Sequence, residues 1–445
     1  MRVLWLCNIM LPAIAEKLHR ESSVKEGWIS GLLERFLKDG GKNGVQLGIA
    51  FPVDDTLGQY QDDFVWNEVC VSCYGFFEKL DEPENYQPDM EKRLKNIVEH
   101  FKPDVIHIFG TEYPHALAMA KVVENKNKLL VGMQGVISLC AEEYLAELPD
   151  TVVSRRTFRD VLKKDSILQQ QAKFAARGKN EERVLHLVGN VTGRTAFDKA
   201  FCKKVNADAA YHVMNETMRP CFYNGKWELE ACKKHRIFFS QADYPLKGFH
   251  FLLEALPEIL KKYPDTEVVI AGNTIIRSGL MGKIKISSYG KYLAALIQKY
   301  ELQNKIRFLG KLSADQMKQE YLKCHTFVCA SVLENSPNSV GEAMLLGVPV
   351  ISSNVGGVPS MITDRSDGLL FEKGDVNGLI EAVLEMWNPE PAAGVLYMTG
   401  KMTLAEKLGK AAAIRAKKVH DGDANFRRLV EIYRAIEQTA EKEAL

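Results

Sequence analysis

The chain has no run of about 18 consecutive apolar residues, so nothing in it reads as a transmembrane span. It has no Gly-x-Gly, which removes the dinucleotide fingerprint and with it the usual nicotinamide reading, and no Walker lysine motif. Charge of either sign is not in excess: 58 Lys and Arg face 57 Asp and Glu, for a net charge of +1. That balance gives no general pull toward nucleic acid, so any polyanion has to be met by a local site. No low-complexity tract argues for disorder. The nine cysteines are odd in number and scattered through apolar segments, which suits reduced core thiols. Cys70 and Cys73 have the C-x-x-C spacing, but no second pair or histidine cluster completes a metal site. Asp421-Gly-Asp423 spells Asp-x-Asp, yet it precedes a helical tail and reads as a polar helix start, so no metal site is expected.

What remains is an ordinary globular composition, 46% hydrophobic, over 445 residues, a length that suggests two or three domains. Short apolar runs alternate with amphipathic stretches of helical length, the pattern of parallel strands joined by crossover helices, so the fold class is α/β. In the first half, 3–7, 45–51, 104–109 and 129–133 read as strands; in the second, 236–240, 266–271, 305–309, 326–330, 349–352 and 368–371. The opening MRVLWLCNIMLPAIA has a signal-peptide flavour, but Asn8 and Pro12 interrupt it and VLWLC reads better as a buried first strand, which implies a cytoplasmic protein. The alternation lapses at 220–234 and again at 388–394. The expected organisation is therefore 1–225, 226–410 and a helical tail 411–445, in which Phe426, Leu429, Val430, Tyr433 and Ile436 recur at helical spacing and pack back toward the first domain.

Residues 153–183 carry nine Lys and Arg against four Asp and Glu, with Phe158, Val161, Leu162, Ile167 and Phe174 interspersed. Such a stretch either packs as a solvated helical pair on its own domain, the plainer reading, or lies on an anionic membrane face.

In open parallel sheets ligands bind beyond the carboxyl ends of strands. There the chain reads SVLENSPNSVGEAMLLGVPVISSNVGGVP, with Glu334 and Glu342 flanking small and polar residues. Ser339 and Glu342 have capping-box spacing, which would make Glu342 a structural cap. Alternatively, the first-turn amides, carrying roughly half a positive charge, stay open to an anion such as a diphosphate while Glu342 accepts hydroxyl hydrogens from a ribose. At another strand end, Lys247-Gly248 opens a helix and offers a point charge.

Glu334 and Glu342 followed by AMLLGVPVISSNVGGVP, together with Lys247-Gly248, resemble the retaining glycosyltransferases of family 4 (glycosyltransferases group 1), as do KPDVIHIFG and IRFLGKLSADQMKQEYLKCHTFVCASVLE. The resemblance implies two Rossmann-like, doubly wound domains facing a cleft (GT-B). It also implies metal-independent transfer of a sugar from a nucleoside-diphosphate donor (a UDP-sugar by default, with no other cofactor) to a saccharide or lipid-linked acceptor, in cell-surface polysaccharide synthesis. By the same resemblance Glu342 holds the ribose, Lys247 neutralises the diphosphate and Glu334 orients the donor sugar. The amides of Asn338, Ser339 and Val340 meet sugar and phosphate oxygens, and Gly310 and Lys311 lie near the base. Gly27, Trp28 and Gly31 match the glycine-rich loop over the diphosphate, and His107 lies on the acceptor side.

Three positions depart from the pattern. Ser240-Gln241 stands where a Gly-Arg pair is usual, leaving Arg194 as a candidate replacement in donor binding; Gln134 replaces a histidine and can bind the donor by hydrogen-bonding a sugar hydroxyl but cannot exchange a proton near neutral pH; Asn335 replaces a glycine. They keep open an epimerase or hydrolase on the same fold, or a homologue that binds donor without turnover. The implied location is cytoplasmic, with 153–183 as a candidate contact with the inner membrane face.

Overall fold

The structure, a computed structural model, describes residues 1–21, 27–39, 41–276, 285–390 and 402–444. The chain forms two compact units. One is Met1–Ala141 with Lys173–Arg219 and His420–Leu445; the other is Glu142–Ala172 with Pro220–Val419.

The first unit holds strands β1 (Arg2–Leu6), β2 (Gln46–Val53), β3 (Tyr60–Trp66), β4 (Val69–Phe77), β5 (Val105–Phe109), β6 (Leu129–Gly132), β7 (Asn190–Gly193) and β8 (Ala210–Val213). Their order is β3-β4-β2-β1-β5-β6-β7-β8, parallel except for β3, which runs antiparallel to β4. VLWLC is thus a central strand. Because side chains alternate across a strand, Val3 and Trp5 enter the core on one face of the sheet while Leu4 and Leu6 enter the core on the other. The chain winds outward from β1 through β2 and then returns to lay β5 on β1's other side, so the switch point lies between β1 and β5. Cys70 and Cys73, three apart on β4, are exposed and buried respectively and share no site. Burial pushes the Cys73 thiol up to about 12.

The tail helix Gly422–Ala444 belongs to this unit, and Phe426, Leu429, Val430, Tyr433 and Ile436 are all buried in the core that contains Trp5. Trp5 Nε1 donates to the Tyr433 hydroxyl at 2.9 Å. Asp421 accepts from the Ala424 amide at 2.7 Å, and Asp423 pairs with Arg35, so the Asp-x-Asp string is a helix start.

The second unit holds β9 (Arg236–Phe239), β10 (Glu267–Ala271), β11 (Ile306–Gly310), β12 (Thr326–Cys329), β13 (Val350–Ser353) and β14 (Leu369–Phe371), all parallel in the order β11-β10-β9-β12-β13-β14. Its switch point lies between β9 and β12. Both sheets are doubly wound α/β, the fold class expected.

The units divide differently from the expected boundaries. Residues 142–172, expected in the first domain, group with the second. The buried Asp160 carboxylate accepts from the Ser288 amide at 3.0 Å and from its hydroxyl, the Ser288 hydroxyl also donates to the Arg155 carbonyl, and His250 Nε2 donates to the Ala146 carbonyl at 3.0 Å. These partners are far away in sequence, so helical periodicity could not reveal them. The tail's first helix, Leu404–Val419, also stays with the second unit, where Gly409 lies so close to the Gly347 carbonyl that a Cβ would approach it to 2.3 Å. Of the expected break at 388–394, residues 391–394 lie outside the described residues.

Candidate functional site

The switch point of the second unit brings two loops together. After β9 the chain makes a short turn, Pro245–Lys247, and enters the helix Phe249–Lys262; after β12 it runs through Ser331–Ser336 to the helix Asn338–Leu346. The Val332 amide donates to the Leu246 carbonyl at 2.9 Å. Gly248 has φ +66°, and a Cβ there would stand 1.8 Å from the Ala330 carbonyl oxygen, so a side chain is excluded both by conformation and by the neighbouring loop. This close approach sets Lys247 beside Glu334.

Lys247 Nζ donates to Glu334 Oε1 at 2.5 Å, with the two side chains 21% and 13% exposed. Burial opposes the lysine's charge, but the Glu334 carboxylate, helped by Tyr244 and Cys329, outweighs it and holds the ammonium well above the ordinary lysine range. The same Oε1 accepts from the Ser331 hydroxyl at 2.7 Å, and the Ser331 carbonyl accepts from the Ser353 hydroxyl. Gly356, at φ +51°, packs its backbone so tightly on the Glu334 carbonyl that a Cβ would lie 2.1 Å from it, and the Gly357 amide donates to that carbonyl at 2.9 Å. Glu334 is therefore fixed from three sides. An ammonium has three protons to give, and one goes to Glu334, so Lys247 keeps capacity for an anion.

The helix Asn338–Leu346 has Pro337 at its N-cap, and Pro337 makes no side-chain cap hydrogen bond. Ser339 is thus already inside the helix, and the Ser339–Glu342 capping box expected from the sequence does not form. Glu342 is 5% exposed, one turn further in. The Val340 amide is engaged by the Pro337 carbonyl at 3.0 Å, which corrects the expectation that it faces a ligand. Asn338 Oδ1 is buried with no hydrogen-bond partner among the described residues. Gly310 ends β11 at φ +76° with open space where a Cβ would stand, and Lys311 beyond it is exposed. Gly310 ends a strand, and Lys247, Glu334, Asn338, Ser339 and Lys311 follow carboxyl ends of strands, all in one sheet.

The first unit's candidates do not assemble in the same way. His107 is fully buried within β5, with its Nδ1 2.7 Å from the Tyr433 hydroxyl, and burial lowers it to about 3. It is a core histidine and not an acceptor-side residue; the tail helix covers it, which a strand pattern alone does not disclose. Gly27 and Gly31 lie in the first turns of the helix Gly27–Lys38 and not in a loop, which corrects the glycine-rich-loop expectation. A Cβ at Gly27 would meet the Arg219 side chain at 2.2 Å and one at Gly31 the Met218 carbonyl at 2.8 Å, so both are small to let 218–219 pack across. The backbone of Trp28 lies between them on that helix. Arg194 is ion-paired with buried Glu216 at 2.9 Å and donates to the Met133 carbonyl at 3.0 Å. Burial raises the Glu216 carboxyl against the pull of Arg194 and a hydrogen bond from Gln134. Arg194 and Gln134 thus serve one internal cluster.

Sequence reasoning missed Ser331 and Ser353. The signal was present: Ser331-Val-Leu-Glu334 has the same Ser-x-x-Glu spacing as Ser339-Val-Gly-Glu342, and the first of the two is the one that bonds. It also missed a polar cluster at the first unit's switch point. There His115 lies between Glu78 at 2.6 Å and Asn8 at 2.9 Å, and Asn8 donates to Glu112 at 3.3 Å.

Two doubly wound parallel-sheet units define the GT-B fold class, and comparison with solved structures agrees. Sucrose-phosphate synthase from Thermosynechococcus elongatus is similar with a TM-score of 0.68 at 15% identity, covering 99% of this chain and 100% of that one. Anabaena HepE in complex with UDP and glucose has a TM-score of 0.62 at 15% identity, covering 98% and 100%. At the level of sequence, residues 226–401 match the family described as glycosyl transferases group 1. Among curated proteins, Bacillus subtilis spore coat protein SA is 32% identical over 147 residues, covering 32% of this chain and 37% of that protein. An uncharacterized glycosyltransferase of Methanocaldococcus jannaschii is 30% identical over 137 residues, 31% of each. The match thus spans about a third of the length of these relatives.

Proposed function

We propose that the chain is a glycosyltransferase that moves a sugar, with retention of anomeric configuration, from a nucleoside-diphosphate donor to a saccharide or lipid-linked acceptor. The observation that carries this reading is the Lys247–Glu334 pair across the second unit's switch point, beside a helix start whose N-cap, Pro337, makes no side-chain cap hydrogen bond. When a nucleoside diphosphate departs, negative charge builds on its β-phosphate, and preorganised donors at that point provide the largest catalytic gain. Lys247 and the amides of Asn338 and Ser339 are the donors offered. Glu334, already positioned by Ser331 and Lys247, accepts from donor-sugar hydroxyls, and Glu342 accepts from the ribose. The group 1 match over 226–401 supports the class, and the UDP and glucose named with HepE support a UDP-sugar as the first donor to try. Chemistry of this kind draws on no metal and no further cofactor. Synthesis of a cell-surface polysaccharide or glycolipid in the cytoplasm is the role that fits.

A second reading, donor binding without transfer, is favoured by one observation. Arg194, the candidate for the missing phosphate arginine, is ion-paired with Glu216 inside the first unit. Donor consumption separates the readings: transfer needs an acceptor, hydrolysis needs only water, and a binding module consumes nothing. Thermal shift with a panel of nucleoside diphosphates tests the site itself, since a ligand at about 100 times its Kd adds about 2.7 kcal/mol of stability. At least one diphosphate raises Tm, and Glu342→Ala reduces that rise; an unchanged rise removes the ribose assignment.

A further inference from the structure

We propose that the second unit docks on an anionic membrane surface through the helix Phe158–Lys163 and the start of the helix that follows it. This stands whether or not the chain transfers sugar. Eight large apolar side chains are exposed among the described residues, and four of them are Phe158 (69%), Val161 (62%), Leu162 (70%) and Leu168 (43%). Positions 158, 161 and 162 fall on one helix face, so Phe158, Val161 and Leu162 form one apolar face and are not scattered exceptions, with Leu168 exposed at the start of the next helix.

The helix is inverted relative to an ordinary surface helix. Its acid, Asp160, is fully buried, closing a capping box with Thr157 and holding Ser288 of the same unit. Its apolar residues face out. The alternative packing, with Phe158 and Leu162 turned in, is blocked because Asp160 and the Ser288–Arg155 bond fix the helix rotation. A fold that anchors a helix by its carboxylate and leaves a Phe, a Val and a Leu in water leaves apolar area uncovered, and a nonpolar phase covers it at a gain.

Charge selects that phase. Arg155, Arg156, Arg159, Lys163 and Lys164 flank these apolar residues along the chain. Arg159 is neutralised by Asp165 at 2.8 Å, but Arg156, Lys163 and Lys164 are exposed, and no carboxylate between 155 and 164 faces outward because Asp160 is turned in. Exposed aromatic and aliphatic side chains flanked by exposed cations match the interface of a bilayer that contains anionic lipid, where each cation near the surface contributes about fivefold in binding.

The test is sedimentation of the full chain with vesicles of phosphatidylcholine alone or mixed with phosphatidylglycerol. The native chain binds the mixed vesicles and releases as salt rises. Phe158→Ser/Leu162→Ser, which alters only exposed side chains, keeps its Tm and loses at least about tenfold in vesicle affinity. Arg156→Gln/Lys163→Gln/Lys164→Gln loses the preference for phosphatidylglycerol. The proposal is overturned if the native chain ignores both vesicles, or if the double serine variant binds as well as the native chain. It is equally overturned if the serine variant instead abolishes a concentration-dependent self-association, which would assign the face to a second copy of the chain.

Discussion

The two units have the same winding and treat their switch points in opposite ways. Between β1 and β5 the polar groups close on one another: Glu78 and Asn8 hold His115, and Asn8 bonds Glu112. Between β9 and β12 a lysine and a glutamate hold each other across two loops, next to a helix whose N-cap, Pro337, makes no side-chain cap hydrogen bond. The contrast shows that topology offers the crevice while the loop residues decide which polar groups meet there.

The comparison breaks most readily at Lys247. Lys247→Ala lowers sugar transfer by at least about a hundredfold, as loss of a preorganised charge at a leaving group does, whereas Glu112→Gln in the first unit lowers it far less. Initial rates for the two variants at saturating donor check this. Next in size is the backbone beneath the pair: Gly248→Ala forces a side chain into the left-handed region against the Ala330 carbonyl and costs about 2 kcal/mol or more in denaturant unfolding.

The pH dependence of stability sharpens the contrast. Burial raises Glu181 of the first unit to about 7, against hydrogen bonds from Thr111, Ile137 and Ser138 that favour its charged form. Its folded value lies above its unfolded one, so the stability it contributes is present in acid and is lost as pH rises through 7, by up to about 3 kcal/mol. Glu181→Gln removes that slope. Buried histidines act with the opposite sign. Burial lowers His107 to about 3 and His420 to about 4 in the first unit, and His325 to about 3 and His250 to about 4 in the second. Each contributes stability above its unfolded value near 6.5 that is lost as pH falls toward its folded value, so both units weaken in acid. Unfolding free energy measured from pH 5 to 8 reports both slopes. The smallest effect is at Ser331: Ser331→Ala removes one hydrogen bond from Glu334, worth about 1 kcal/mol, and transfer drops by about fivefold.

Much of the architecture was legible because parallel strands buried on both faces read as apolar runs, and because the spacing of Phe426, Leu429, Val430, Tyr433 and Ile436 already implied a face to bury. The hairpin of β3 and β4 was not, since YQDDFVW is too polar and too exposed to stand out as a strand. Long-range polar bonds hid from the sequence as well. Nothing in residues 142–172 announces that Asp160 will bond Ser288, and nothing local says that Tyr433 will cover His107. At the candidate site, two Ser-x-x-Glu strings eight residues apart look equivalent until Pro337 takes the N-cap and leaves only Ser331 free to hold its glutamate.

The central claim is that Lys247 and the uncapped helix start receive a diphosphate. Calorimetric titration of the native chain and of Lys247→Ala with nucleoside diphosphates, and with the corresponding nucleosides, tests it most directly. The account predicts that one diphosphate binds the native chain at least about tenfold more tightly than it binds the variant, while its nucleoside binds both alike. Equal diphosphate affinity for the two proteins, or no diphosphate binding to the native chain, would contradict it.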